Sequence, residues 1–131
     1  MIIVNKSVTE LIPYARNSRT HSDEQVSQIM ASIKEFGFTN PILTDGKDGI
    51  IAGHGRLMAA QRLGINEVPT IELSHHTEAQ KKAYIIADNK LALNSGWDED
   101  MLKIELQELY DIGYDIDLIG FTDEELEDMD I

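Results

Sequence analysis

Residues 49–60 combine side chains and backbone features that suit phosphate binding. An apolar run ends at Gly53, and a helix is predicted to begin directly after it, with Arg56 in its first turn. A helix start presents unpaired N–H groups and the positive end of the helix dipole. Gly53 and Gly55 let the backbone approach an anion closely, and the Arg56 guanidinium can hold phosphate oxygens with two donors. Local sequence leaves open a second interpretation, a tight strand-to-helix turn followed by an ordinary exposed arginine.

Three other features could contribute to the same chemistry. Arg16 and Arg19 lie three residues apart in a polar loop, where spaced arginines can clamp a polyphosphate, although loop arginines are commonly just solvated. Asp88 and Asn89 offer hard oxygen ligands that suit Mg²⁺ held between protein and phosphates. The competing interpretation of this pair is local hydrogen bonding near a helix end. His54, at the predicted helix start, could hydrogen-bond a phosphate or transfer a proton.

Several other kinds of site are excluded or disfavoured. The chain contains no cysteine, which excludes disulfides, cysteine-based zinc sites and thiol catalysis. His75 and His76 are adjacent and cannot easily face one metal ion, and no carboxylate lies at ligand spacing from them. Neither a phosphate-loop lysine motif nor a dinucleotide-binding glycine motif is present. Because no apolar run approaches the length of a membrane span, we expect a soluble, cytoplasmic protein with no membrane partner.

The net charge of −13 is confined to one end of the chain. Residues 1–97 contain ten Lys or Arg and ten Asp or Glu, whereas residues 98–131 contain one Lys and fourteen Asp or Glu. We therefore expect a neutral domain over residues 1–97 and an acidic helical extension or connector over residues 98–131. The extension should repel DNA, since DNA affinity depends on cations at the phosphates. It could bind a basic partner, compete with DNA for a basic groove, or only aid solubility.

Periodicity and turn residues predict an α+β architecture, a small mixed sheet with three to four packed helices. Strands are expected over residues 1–8, 41–44, 49–52 and 68–73. Helices are expected over residues 22–37, 54–64, 77–94 and 98–113, with a short acidic helix after residue 122. Ser22, Thr77 and Thr122 are predicted to open capping boxes, and Pro69 suggests an edge strand or a strand start. Residues 111–121 are predicted as a hinge, and Trp97 is expected to dock the next element onto the core.

The order of these motifs resembles the N-terminal domain of the ParB family, which has the ParB/sulfiredoxin fold. The resemblance covers residues from about 8 to 93 and rests on an ordered series. The series is Leu-Ile-Pro at 11–13, Asn-Ser-Arg at 17–19, Ala-Ser-Ile-Lys-Glu-Phe-Gly at 31–37, Asn-Pro-Ile at 40–42, Ile-Ala-Gly-His-Gly-Arg-Leu-Met-Ala-Ala at 51–60, Gly at 64, Val-Pro at 68–69 and Asp-Asn at 88–89. The resemblance implies a pocket for a nucleoside triphosphate, CTP or ATP, with Mg²⁺. The implied lining residues are Arg19, Gly53, Arg56 and Asn89, to which the helix-start argument adds His54 and Gly55. Asp88 and Asn89 would lie at the metal.

The chain also departs from the family pattern. The family's Gly-Glu-Arg-Arg is replaced by Gly-His-Gly-Arg at 53–56, which puts nucleotide hydrolysis and a preference for CTP in question. Sulfiredoxins carry their reactive cysteine where His54 stands, so a sulfinic-acid reductase is excluded. The arginine that usually follows the Glu-Asn pair of the family is also absent. Partition proteins continue into a helix-turn-helix domain, and because this chain continues in acidic residues, we expect no such domain after residue 97.

The stretches at 81–99 and 118–121 are similar to ParB-like modules of phages and prophages, which are often fused ahead of a DNA methyltransferase. The expected function is a Mg²⁺-dependent nucleotide-binding module in DNA modification or partition. It would reach DNA indirectly or through a linked domain, alongside a methyltransferase or another DNA-processing partner. The alternative is a non-catalytic regulatory module with a degenerate pocket. If the module hydrolyses its nucleotide weakly, His54 is the candidate catalytic residue. A nuclease is the least favoured function, because metal-assisted cleavage of DNA usually needs more than one carboxylate and Asp88 is the one that is well placed. Whether the chain forms a homodimer stays open.

Overall fold

The computed structural model describes residues 1–16 and 20–131. The chain divides into two compact units, Met1–Asn94 and Ser95–Ile131. The division lies close to the boundary after residue 97 that the charge distribution suggested, and the assignment of domains to these units stays a prediction. Within the described ranges, no helix combines the length and apolar character needed to cross a membrane.

The first unit contains a four-stranded mixed sheet and three helices. Its strands are β1 (Ile3–Ser7), β2 (Ile42–Thr44), β3 (Ile50–Ala52) and β4 (Glu67–Glu72). Its helices are α1 (Asp23–Phe36), α2 (His54–Arg62) and α3 (Glu78–Asn94). The strand order is β1-β4-β2-β3, with β4 antiparallel to β1 and parallel to β2, and with β2 and β3 forming an antiparallel hairpin. The predicted α+β class is confirmed.

The predicted edge position of Pro69 is wrong, because β4 lies between β1 and β2. The parallel pairing with β2 begins at Thr70, opposite Ile42, whereas Pro69 pairs only with Asn5 of β1. The missing proline N–H therefore interrupts none of the pairing with β2. β1 lies at one edge of the sheet.

The β2–β3 turn is organised by the side chain of Asp45. Its carboxylate accepts hydrogen bonds from the backbone N–H groups of Lys47 at 2.7 Å and Gly49 at 2.9 Å, and from Lys81 Nζ of α3 at 2.9 Å. Burial acts to raise the pKa of Asp45, but these hydrogen bonds outweigh it and hold the pKa below its ordinary value. Gly49 is required, because a Cβ there would lie 2.5 Å from Asp45 Oδ2. The turn thus ties the hairpin to α3.

Two apolar clusters show how the helices cover the sheet. Ile50 packs in a cluster with Leu57 of α2, whereas Ile51 packs in a different cluster with Ile85 of α3. Successive side chains of a strand point to opposite faces of its sheet. β3 therefore lies between α2 and α3, and both helices are held near its end.

The predicted capping boxes form at two of three helices. Thr77 and Thr122 each exchange both hydrogen bonds with the residue three positions later. Ser22 accepts a hydrogen bond from the Gln25 N–H at 3.1 Å, but the Gln25 side chain instead contacts His21 Nδ1 at 3.1 Å. The competing histidine leaves that box half formed.

The second unit has a small core of its own. It consists of α4 (Glu99–Asp111), a short 3₁₀ helix (Ile116–Ile119) and α5 (Asp123–Asp128). Leu106, Ile116 and Leu126 are buried together. The prediction of a hinge over residues 111–121 is wrong, since Ile116 fills this core. Trp97 is 65% exposed with its ring 5.8 Å from that of Phe121, so the prediction that it docks the next element onto the core is also wrong.

Candidate phosphate-binding site

A cavity of about 240 Å³ brings together most of the predicted site residues. Its lining includes Gly53, His54, Gly55, Arg56, Asp88 and Asn89. Arg19, the remaining predicted residue, lies outside the described residues. The cavity is formed by the end of β3, the first turn of α2 and the middle of α3. His21, Gln25 and Ile29 also line it. No local pattern indicated these contacts, because α1 and the residues just before it are distant along the chain from α2.

The first turn of α2 depends on glycine at position 53. Gly53 has φ 110° and ψ 22°, a conformation that L side chains rarely adopt. A Cβ there would lie 3.0 Å from both Ile42 Cγ1 and Arg56 Nη2. Gly53, the N-cap residue, has no side chain that could cap α2, and the first turn of the helix carries no acidic residue. The helix start therefore keeps the N–H donors and positive dipole end that an anion can use.

Close packing explains why position 55 is a glycine, which could not be seen in the sequence. It is buried, and a Cβ at this position would lie 2.9 Å from Ile29 Cδ1 and 3.0 Å from two ring atoms of His21. The absence of a side chain lets α2 begin directly against α1. The family that this sequence resembles has an arginine at this position, and an arginine here would require His21 and Ile29 to move.

His54 is already hydrogen-bonded within the protein. The Tyr14 backbone N–H donates to His54 Nε2 at 2.9 Å. Nε2 is thus the unprotonated nitrogen, and the neutral ring carries its proton on Nδ1. Burial, and to a lesser degree the electrostatic interaction with His21, lower the pKa of His54. The ring therefore connects the backbone at Tyr14 to the start of α2, and its Nε2 is not free to act as a base.

Arg56 presents an incompletely satisfied guanidinium to the cavity. Its Nη2 donates to the Pro41 carbonyl oxygen at 3.0 Å, while its Nε is buried without a hydrogen-bond partner in the described part of the chain. Burial lowers the pKa of Arg56, and the negative charge of Asp88 acts in the opposite direction. None of the ion pairs among residues 1–16 and 20–131 includes Arg56. Its charge is therefore partly desolvated and has no direct counterion among the described residues, a costly arrangement that an anion would relieve.

Asp88 and Asn89 lie on the α3 side of the cavity. Asn89 Nδ2 donates to the Ile85 carbonyl oxygen at 2.9 Å, which is the kind of local hydrogen bond that the competing interpretation of this pair predicted. Asn89 Oδ1 remains as an acceptor. Asp88 is exposed and keeps a carboxylate at the lining. In the described ranges, no group of three His, Asp or Glu side chains is gathered to hold a metal by itself. A cation here would need further oxygen ligands.

A second cavity of about 330 Å³ shares Ile51 with the first. Arg16 lines this second cavity and not the first, together with Tyr14, Asp45 and Lys81. Of the two loop arginines, Arg16 therefore lies in the lining of the second cavity and outside that of the candidate phosphate site.

Two protein families match the sequence. Residues 3–89 match the family described as the ParB N-terminal domain. Residues 100–130 match the family described as the ParB-methyltransferase HTH domain. The second match corrects the expectation that no helix-turn-helix segment follows residue 97. The acidic composition of this segment concealed it, since it lacks the cations typical of a DNA-binding helix.

Curated relatives agree with the first match. The ParB-like nuclease domain-containing protein YnaK of Escherichia coli K12 is 58% identical over 80 residues, which cover 61% of this chain and 92% of that protein. A nucleoid occlusion protein of Geobacillus is 36% identical over 69 residues, 49% of this chain and 25% of that protein. A probable chromosome-partitioning protein ParB of Treponema pallidum is 40% identical over 57 residues, 40% of this chain and 18% of that protein. The chain spans a quarter or less of the last two proteins.

Solved structures establish the fold. The C-terminally truncated chromosome-partitioning protein ParB from Caulobacter crescentus, complexed with CTP-gamma-S, aligns with a TM-score of 0.71 at 22% identity, over 83% of this chain and 63% of that chain. Sulfiredoxin from Arabidopsis thaliana aligns with a TM-score of 0.54 at 20% identity, over 65% of this chain and 98% of that chain. These similarities confirm the ParB/sulfiredoxin-like fold. Since the first family match extends over most of the sequence, and YnaK is matched over nearly its whole length, the chain belongs to the ParB N-terminal domain family.

Proposed function

We propose that this chain binds the triphosphate of a nucleotide, CTP or ATP, together with Mg²⁺, in the cavity between α1, α2 and α3. The observation that carries the proposal is the state of Arg56. Its guanidinium is partly buried at an uncapped helix start, with Nε unpartnered among the described residues. Phosphate oxygens supply the acceptors and the negative charge that this arrangement lacks.

The residues present fit such a ligand. Arg56 and the N–H groups of the first turn of α2 would hold phosphate oxygens, and Asp88 with Asn89 Oδ1 would hold Mg²⁺. Bound Mg²⁺ supplies neutralisation of phosphate charge, and it typically takes only one or two protein carboxylates, with phosphates and water completing its shell. The two residues of α3 are consistent with that need. The cavity of 240 Å³ is smaller than the roughly 300–1,000 Å³ of pockets that enclose a whole ligand, so it suits the phosphate end of a nucleotide.

His54 has a supporting role in this proposal. Because its Nε2 accepts a hydrogen bond from the Tyr14 N–H, the ring holds the backbone at Tyr14 close to the phosphate site. Nucleotide binding therefore does not require His54 as a proton acceptor. The same hydrogen bond favours the second candidate function, a non-catalytic regulatory module with a degenerate pocket, because it occupies the nitrogen that a base would use.

We place this activity in DNA modification or partition. The segment at 100–130 that matches the ParB-methyltransferase HTH domain supports a link to a DNA methyltransferase, and the relatives named for nucleoid occlusion and chromosome partition support a role in DNA transactions. The Caulobacter relative was complexed with CTP-gamma-S, which makes CTP the first nucleotide to test.

Calorimetry and thermal unfolding of the full chain with CTP and with ATP, each with and without Mg²⁺, test the proposal. A nucleotide at a hundred times its Kd should stabilise the native state by about 2.7 kcal/mol. For a unit of this size that is a rise in Tm on the order of 10 °C. Arg56→Ala should abolish binding, and Asp88→Asn should weaken only the Mg²⁺-dependent part. Arg62→Ala is the matched control, since Arg62 lies on the same helix and pairs with exposed Asp23.

Each result has a clear consequence. Failure of both nucleotides to bind the wild-type chain refutes nucleotide binding and leaves the regulatory module. Unchanged affinity in a folded Arg56→Ala variant refutes the assignment of the site. Release of phosphate by the wild-type chain would exclude the non-hydrolysing alternative.

A further inference from the structure

One side of α4 carries apolar side chains that the core of its own unit does not use. Met101, Ile104 and Ile112 are 53%, 50% and 78% exposed. Their spacing places Met101 and Ile104 on one face of α4 and the C-cap residue Ile112 in line with them, a set that we call the α4 stripe. The core residues Leu102, Leu106 and Leu109 lie about 120° away around the helix axis. The helix therefore has two apolar faces, of which one is packed.

The α4 stripe lies among carboxylates. Helical spacing puts Glu105 and Glu108 within or beside it, and Asp100 and Asp111 along one flank. Lys103, the one Lys or Arg in the sequence from 98 to 131, lies on another side of the helix and pairs with Asp130 at 3.6 Å. Within Ser95–Ile131, the stripe thus combines exposed apolar area with negative charge and no neighbouring cation.

The segment that matches the ParB-methyltransferase HTH domain is acidic, whereas helices that bind DNA are usually rich in Lys and Arg. In helix-turn-helix proteins the second helix enters the major groove, and its first residues contact the bases. The second α-helix of the matched segment is α5, whose exposed side chains are all carboxylates: Asp123, Glu124, Glu125, Glu127 and Asp128. DNA affinity depends on neutralising phosphates with cations, so these side chains would repel the duplex.

We propose that the α4 stripe is a docking surface for a protein segment that presents an apolar face flanked by Lys or Arg. Apolar contact would remove Met101, Ile104 and Ile112 from water, and the carboxylates of α4 would pair with the flanking cations. A second copy of this chain is the poorer occupant, because it would bring another set of carboxylates against the first. The proposal is independent of the nucleotide site.

Binding of synthetic peptides to the full chain tests the proposal, with the fluorescence of Trp97, the one tryptophan of the sequence, and calorimetry as readouts. The probe is a helical peptide with leucines on one face and lysines on both flanks. Two control peptides carry glutamates in place of the lysines, or serines in place of the leucines. We expect binding of the first peptide alone, weakened about ten-fold or more by Ile104→Ser. Leu93→Ser, which changes a 69% exposed leucine of α3, should leave the affinity unchanged, and so should Arg56→Ala.

Four outcomes would overturn the proposal. One is that no peptide binds, and another is that the glutamate peptide binds as well as the lysine peptide. The third is a dimer in light scattering that Ile104→Ser dissociates, which would make a second copy the occupant. The last is salt-sensitive binding of the wild-type chain to duplex DNA that Ile104→Ser or a change in α5 abolishes. Loss of nucleotide binding alone leaves the docking proposal intact.

Discussion

Protonation of His54 should release the Tyr14 segment and destabilise the first unit. The Tyr14 N–H donates to the lone pair of His54 Nε2 at 2.9 Å, and a proton on that nitrogen removes the acceptor. Burial is the main cause of the lowered pKa of His54, and the electrostatic interaction with His21 contributes. The folded chain therefore resists a proton that the unfolded chain accepts.

The sign and size of the effect follow from that difference. The unfolded histidine has a pKa of about 6.5, and the folded one titrates below it. The stabilisation is complete above the unfolded pKa and is lost as the pH falls through the folded pKa, below which both states bind the proton. One extra proton taken up on unfolding gives a slope of at most about 1.4 kcal/mol per pH unit. A partly buried hydrogen bond to a backbone N–H contributes about 1 kcal/mol, which sets the expected loss.

Urea unfolding from about pH 7.5 to about pH 5 measures this loss in three proteins. His54→Gln offers a side-chain oxygen to the Tyr14 N–H but does not titrate. The wild type should lose about 1 kcal/mol more free energy of unfolding than this variant over the range. His75→Gln, which removes an exposed histidine before α3, is the matched control and should follow the wild type. Because all other titrating groups are shared, the difference between wild type and variant isolates His54.

Parallel curves for wild type and His54→Gln would refute the reasoning. They would mean that the His54 ring gains or loses a proton equally in the folded and unfolded states, so that the Tyr14 hydrogen bond does not bias its protonation. A wild type that became more stable on acidification relative to the variant would reverse the sign and would place a negative partner on the ring.

Two further predictions concern stability and use urea unfolding with matched controls. Gly53→Ala should lower the free energy of unfolding by about 2–4 kcal/mol, because φ is 110° and the new Cβ would lie 3.0 Å from atoms of Ile42 and Arg56. Gly64→Ala, at φ 72° with nothing within 4 Å, should cost only about 1 kcal/mol, and equal losses would show that crowding at position 53 is relieved elsewhere. Asp45→Ala should cost about 2–4 kcal/mol through three lost hydrogen bonds, whereas loss of exposed Asp23 should cost under about 1 kcal/mol. Similar values for the two aspartates would remove Asp45 as the organiser of the turn.

Local features of the sequence were sufficient to predict most elements. The helix starts at Thr77 and Thr122 depend on side chains that bond to the backbone three residues away, and the hairpin depends on turn residues between two short apolar runs. Such contacts close over a few residues, so the order of residue types contains the information. The ordered series of motifs identified Gly53, Arg56 and Asp88 as one site, although no single motif was specific.

The sequence by itself determined the strand-to-helix turn at Gly53, the α+β class, and the concentration of charge after residue 97. Only the tertiary structure decided that β4 lies inside the sheet, that Gly55 makes room for His21, and that His54 binds the Tyr14 backbone. The Tyr14 contact joins residues 40 positions apart, and no local preference selects such a partner. The partner is selected by burial and by the need to satisfy buried polar groups, and both depend on how the whole unit packs.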